Sequence, residues 1–174
     1  MFHRREKRKP VKAPTKSDGA NVPPQPPPPF VAAVANVFVS MTSAMNTMSH
    51  LPLPENIEFF MLQWPRGQLV AETVTGAVAG ALSSYILEDG TASIALLAVD
   101  APFRGLGAGT MLMNALRTEC IGEGIGRMQL EARATNLRAI ALYERLGFRR
   151  TQVLPSLYSD GGDGIRLVLD LRRS

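Results

Sequence analysis

A single cysteine in 174 residues leaves no intrachain disulfide, so the chain reads as one made for a reducing compartment, the cytoplasm. That residue, Cys120, falls where a helix is expected, and its thiol reads as a partly buried packing group rather than a nucleophile. Long apolar runs are missing too. The longest, at 30–41 and 76–87, are broken by Asn, Gly or Ser and fall short of the roughly 18 uninterrupted apolar residues of a membrane span. Histidine is scarce: His3 lies near the N-terminus and His50 matches no motif, so neither stands out as a general base, and no metal site is expected. What remains, 45% hydrophobic and 20% charged residues, suits one ordinary hydrophobic core.

Acidic residues are sparse in one place only. Residues 1–20 hold seven basic side chains against Glu6 and Asp18, whereas the rest of the chain is nearly balanced at 12 basic to 13 acidic. The basic arm runs into Pro23-Pro24-Gln25-Pro26-Pro27-Pro28-Pro29, which favours polyproline II and lacks the backbone donors a sheet needs. Residues 1–29 are thus expected to be a disordered basic, proline-rich tail, and 30–174 the domain. The tail reads as a solvated segment, as an arm touching RNA or the ribosome, or as a targeting signal. Glu6, Asp18 and the early prolines fit poorly with the amphipathic, acid-poor helix of a targeting signal. No aromatic residues interleave with the basic ones, so nothing in the arm would read RNA sequence.

Glycine, by contrast, is concentrated where it carries chemistry. The apolar segment Leu96-Leu97-Ala98-Val99 runs through Asp100-Ala101-Pro102-Phe103-Arg104 into Gly105-Leu106-Gly107-Ala108-Gly109. Such a strand-to-helix turn can aim successive backbone N–H groups at a phosphate over the helix N-terminus. A nucleotide triphosphate is disfavoured, because Thr110-Met111 stand where a P-loop needs Lys and Ser or Thr. A dinucleotide fingerprint is disfavoured as well, since the sixth position from Gly105 is Thr110.

Around this loop the hydrophobic pattern predicts a helix over 30–48, a break at Leu51-Pro52-Leu53-Pro54, and a short helix over 56–63 that ends before Trp64-Pro65. Strands are predicted at 69–73 and 76–87 as an antiparallel pair, then at 92–99 after the turn Glu88-Asp89-Gly90. A helix follows the glycine loop and stops at Gly122 and Gly124. A strand at 128–131, a helix at 137–146 between Asn136 and Gly147, and an alternating strand at 165–171 complete the pattern. The order describes an α+β fold with antiparallel N-terminal strands and one parallel β-α-β crossover.

The combination of Arg104-x-x-Gly107-x-Gly109 after Leu97-Ala98-Val99, then Asn136 and Leu142-Tyr143-Glu144-Arg145-Leu146-Gly147-Phe148, resembles the GNAT acetyltransferase superfamily in order and spacing. The resemblance implies the GNAT fold, a mixed central sheet flanked by helices, and acetyl-CoA as co-substrate without a metal. It implies that Leu97, Ala98 and Val99 pair with pantetheine amides. The loop residues Arg104, Gly105, Leu106, Gly107, Ala108 and Gly109 would hold the pyrophosphate, with Asn136 on pantetheine and Tyr143 beside the thioester sulfur. A narrower likeness, to the catalytic subunits of NatC-type N-terminal acetyltransferases, rests on Leu130-Glu131, Gln63-Trp64-Pro65 and Gly162-Asp163-Gly164-Ile165-Arg166-Leu167. Those enzymes acetylate protein N-termini of Met followed by a bulky apolar residue, and work with auxiliary subunits near the ribosome. In that alignment Glu55 of Leu53-Pro54-Glu55 and Tyr158 would contact the peptide, and Ser93 and Ser156-Leu157 replace a tyrosine, an arginine and a tyrosine. The family's first strand would fall on the polyproline run and so be missing or displaced.

The resemblance casts Glu131 as general base through a water and Tyr143 as general acid, with direct attack in a ternary complex. The residues allow other roles. Glu131 could be a strand-end carboxylate paired with Arg133 or Arg138, Asn136 a helix cap, Tyr143 a helix-face tyrosine, and Tyr158 a loop-packing side chain. A lysine or small-amine acetyltransferase, or a non-catalytic acetyl-CoA-binding subunit on a ribosomal particle, is the alternative to peptide N-terminal acetylation.

Overall fold

In the computed structural model, which describes Phe30–Ala33 and residues 57–173, the strands are β1 (Phe30–Ala33), β2 (Gln68–Thr73), β3 (Val78–Ile86), β4 (Ala92–Val99), β5 (Arg127–Arg133), β6 (Arg149–Leu154) and β7 (Gly164–Asp170). The helices are α1 (Ile57–Gln63), α2 (Ala108–Gly122) and α3 (Leu137–Arg145). The strands form one sheet in the order β1-β2-β3-β4-β5-β7-β6. Only β4 and β5 run parallel, and α2 is their crossover; every other pairing is antiparallel. This is the predicted α+β architecture. Among the described residues no helix is long and apolar enough to cross a membrane.

Two strands depart from the sequence reading. Phe30–Ala33 is β1, paired in antiparallel register with Val70–Thr73 of β2, where a helix over 30–48 was expected. The first strand is therefore present just after the proline run. Residues 34–48 of the expected helix lie outside the described residues, as do the tail 1–29, His50 and Glu55. The second departure is β6, unannounced in the sequence because its side chains are almost all exposed and show no apolar alternation.

The core lies between the sheet and the helices α2 and α3. Leu112, Leu116 and Cys120 of α2 and Ile140 of α3 pack with Leu82, Met128, Leu130 and Leu167 of the strands, all fully or nearly fully buried. Cys120 is wholly buried, and burial pushes its thiol up to about 12, so it stays protonated and inert. At the other end of the core Trp64 fills the corner where α1 meets α2, its indole N–H donating to Glu123 Oε2 at 2.9 Å. Beneath it the buried Gln68 amide donates to the carbonyls of Phe60, Trp64 and Ser84, and its oxygen accepts from Ser83 Oγ at 2.6 Å.

Candidate active site

Strands β4 and β5 pair over only three positions, Ala92 with Met128, Ser93 with Gln129 and Ile94 with Leu130, and then separate. The cause is visible on the other side of β4. The register with β3 slips between Ser83 and Ser84, so Ala95 is an extra residue, a bulge that turns β4 away from its parallel neighbour. Beyond Ile94, β4 keeps its ladder with β3 while its other edge faces an opening, and β5 carries on beside β7 to Arg133. The Asp100 N–H bonds the Ala79 carbonyl, so by the alternation of the ladder Ala98 turns its backbone groups to β3, while Leu97 and Val99 turn theirs to the gap in the middle of the sheet.

The glycine loop closes one end of this opening. Gly105 and Gly107 have φ of +83° and +96°, which L side chains rarely adopt, and Gly107 is the N-cap of α2. The first N–H groups of α2 have no partner within the helix, and the helix dipole favours an anion beside them. A Cβ at Gly109 would meet only Leu142 and Val99 at 3.6 Å, ordinary contact distances, so the chain itself does not require glycine there. Arg104 is braced into the loop by its ε N–H, which donates to the Val99 carbonyl at 2.9 Å.

Of the side chains singled out from the sequence, Tyr143 and Tyr158 come near one another. Tyr143 of α3 is buried with its ring 6.1 Å from that of Phe148, and desolvation followed by interaction with Tyr158 raises the phenol to about 12. It is therefore a protonated hydroxyl throughout the neutral range. Tyr158, half-buried in the loop 155–163, is raised as well, chiefly by burial, with Arg133 opposing the shift and Glu131 adding to it. Tyr158 is thus in electrostatic reach of both Tyr143 and Glu131.

Glu131 has a different partner from those the sequence suggested. Arg166 sits opposite it in the β5–β7 register and donates to Glu131 Oε1 from Nη2 at 2.7 Å and from Nε at 3.1 Å. Arg133 instead joins Asp160 and Tyr158. Arg166 also reaches Gln152 Oε1 at 3.2 Å, so β5, β7 and β6 are laced together behind Glu131. Asn136 is the N-cap of α3, its Oδ1 accepting from the Ala139 N–H at 3.1 Å, which is the capping role the sequence allowed. Ser93 is buried and paired with Tyr85, whose ring stacks on Phe60 at 4.4 Å. Ser156 holds a positive φ of 50°, with its N–H on Asp163 Oδ1.

The opening between the strands and the N–H cradle beside it fit an elongated ligand that carries amides in its middle and phosphates at one end. Known proteins agree. Residues 32–148 match the model of the acetyltransferase (GNAT) family. N-alpha-acetyltransferase 30 of Dictyostelium discoideum is 35% identical over 129 residues, 70% of this chain and 68% of that protein. The relative of the same name from Xenopus laevis is 34% identical over 117 residues, 66% of this chain, and this chain spans only 43% of its length. Ard1 from Thermoplasma volcanium superposes with a TM-score of 0.68 at 26% identity, covering 82% of this chain and 97% of that one. A chain of the NatC complex bound to Gag peptide and CoA shares the fold with a TM-score of 0.70 at 23% identity, covering 82% and 98%. By its matched family model, its relatives and the arrangement of its split sheet, this chain belongs to the GNAT acetyltransferase family.

Proposed function

We propose that this chain is an acetyl-CoA-dependent acyltransferase that acetylates the α-amine of protein N-termini, of the NatC type that takes Met followed by a bulky apolar residue. The observation that carries the reading is the parting of β4 from β5 after three paired positions, beside the glycine turn that opens α2. Relatives named N-alpha-acetyltransferase support the choice of acceptor.

The co-substrate supplies an acetyl group activated as a thioester. Backbone groups of Leu97 and Val99, on either side of Ala98, would hold its amide-bearing arm, and the N–H groups of Gly105, Leu106, Gly107, Ala108 and Gly109 its phosphates. Arg104, braced through Nε, keeps its Nη groups for the same phosphates, and Asn136 lies alongside. A peptide α-ammonium has a pKa of roughly 7.7–8.0, so a modest base suffices near neutrality. Glu131 fits that task through a water, since Arg166 engages only Oε1 and leaves Oε2 to accept a hydrogen bond. The phenol of Tyr143 holds its proton up to about pH 12 and is the group to protonate a leaving thiolate. N–H groups along Leu97–Val99 would polarise the carbonyl under attack. Tyr158 would contact the peptide. The reading includes a cytoplasmic location, auxiliary subunits and a ribosome contact through the basic arm.

The test offers the full chain acetyl-CoA with a Met-Leu peptide, an N-blocked lysine peptide or spermidine. Transfer to the Met-Leu peptide is expected. Transfer to the blocked peptide alone would replace the reading with a lysine acetyltransferase, and cofactor binding without transfer, even with auxiliary subunits added, would replace it with a binding subunit.

A further inference from the structure

We propose that Arg133 is a positioning residue that holds Tyr158 at the peptide side of the site, acting through a latch it forms with Asp160 and Gly162. The inference rests on the reading of Tyr158 as a peptide contact. Arg133 is the last residue of β5, two positions beyond Glu131 and on the same face of the strand. Its guanidinium carbon lies 4.0 Å from the centroid of the Tyr158 ring, while Nη1 donates to both carboxylate oxygens of Asp160 at 2.9 Å. One side chain thus grips the loop 155–163 twice, through a flat face on the aromatic ring and through an ion pair.

The loop is shaped to receive it. The Tyr158 N–H donates to the Gly162 carbonyl at 3.1 Å and the Gly161 N–H to the Tyr158 carbonyl at 2.8 Å, closing a tight turn. The Gly162 N–H bonds Asp160 Oδ1 at 3.1 Å, which fixes the carboxylate that Arg133 meets. Arg133 first, then the Gly162 N–H, hold the Asp160 carboxyl below the usual carboxylate range. A Cβ on Gly162 would stand 2.7 Å from Arg133 Nη1, so a side chain there pushes the guanidinium out of its present place between ring and carboxylate. Remove any of the three, and the ring of Tyr158 loses the surface that fixes its direction.

Lysine cannot substitute, because its ammonium has no plane to lay on the ring while it reaches the carboxylate. The variants Arg133→Met, Arg133→Lys and Gly162→Ala are therefore each expected to raise the peptide KM about five- to tenfold, the scale of one exposed cation–π contact plus one exposed ion pair. kcat and acetyl-CoA affinity should stay within about twofold of the parent. Faster amide exchange across 156–163 in Arg133→Met is expected in the same protein. The exchanged pair Arg133→Asp with Asp160→Arg restores an ion pair but takes the guanidinium off β5, and its KM should stay raised.

Tyr158→Ala separates the two layers. If it raises KM while Arg133→Met leaves both KM and amide exchange unchanged, the latch is overturned. If Tyr158→Ala leaves KM unchanged, the peptide role of Tyr158 falls, and the latch's catalytic purpose with it. Full recovery of KM in the exchanged pair would overturn the ring contact.

Discussion

Tyr143 and Cys120 show what burial does to a single ionisable side chain. Both are raised to about 12 mainly by desolvation, from ordinary values of roughly 10 and 8.5. A group with a raised folded pKa contributes stability that is complete below its unfolded pKa and is lost as pH rises towards the folded one. Urea midpoints should therefore be flat up to about pH 8.5, then fall steeply between about pH 9 and 12, with Cys120→Ala reducing the early part of that fall. For activity, Tyr143→Phe removes the phenolic proton of the buried tyrosine. We expect kcat to drop about 100-fold or more with acetyl-CoA affinity intact, and undiminished kcat would refute the acid role. Glu131→Gln should lower turnover most below about pH 8, where the amine is still protonated, and full turnover across pH 6–9 would remove Glu131 from the role of base. The family resemblance singled out both side chains in the sequence. The partner of Glu131 was not legible there: Arg166 lies 35 positions away and comes opposite it only through the antiparallel β5–β7 register. Nearby arginines in sequence were the wrong ones.

At the level of elements, glycines and prolines marked the boundaries well. Trp64-Pro65 ends α1 at Gln63, Gly76 and Gly90 sit at positive φ in the turns around β3 and β4, and Gly147 at φ +94° follows α3. These punctuation marks work because they encode backbone angles locally. The elements that escaped, β1 and β6, are the two outer strands of the sheet. Among the described residues each pairs on one side only, and β6 carries Arg149, Arg150, Thr151 and Gln152 exposed, so it has no buried face to impose a period of two. The bulge at Ala95 was equally invisible, since a register slip has no composition. Between α1 and the sheet, the buried Gln68 satisfies three carbonyls and a serine hydroxyl. Gln68→Leu removes these bonds and takes the acceptor from Ser83 Oγ, while the Phe60 and Trp64 carbonyls keep the N–H groups of Trp64 and Gly67, so it should cost about 1–3 kcal/mol in urea unfolding. A loss under about 1 kcal/mol would mean that water replaces the amide.

Taken as a whole, the molecule joins a strongly basic arm to a domain of nearly balanced charge. If the arm holds the protein near ribosomes, cosedimentation should vanish as salt is raised from about 0.05 to 0.3 M, and exchanging its lysines and arginines for glutamine should abolish it without altering transfer to free peptide. Retained cosedimentation in that variant would exclude the arm as the contact. The domain itself is two antiparallel blocks, β1 to β4 and β5 with β7 and β6, that share a ladder of three residue pairs. A seam so short leaves the crossover helix to carry much of the connection. Anything lodged beyond it would act as a keystone, touching both blocks and replacing the rungs that the bulge at Ala95 took away. Acetyl-CoA at about 100 times its Kd should then add about 2.7 kcal/mol to stability, with slowed amide exchange on both β4 and β5 rather than in the glycine loop alone. The fold, on this view, reaches its full rigidity only with the co-substrate in place.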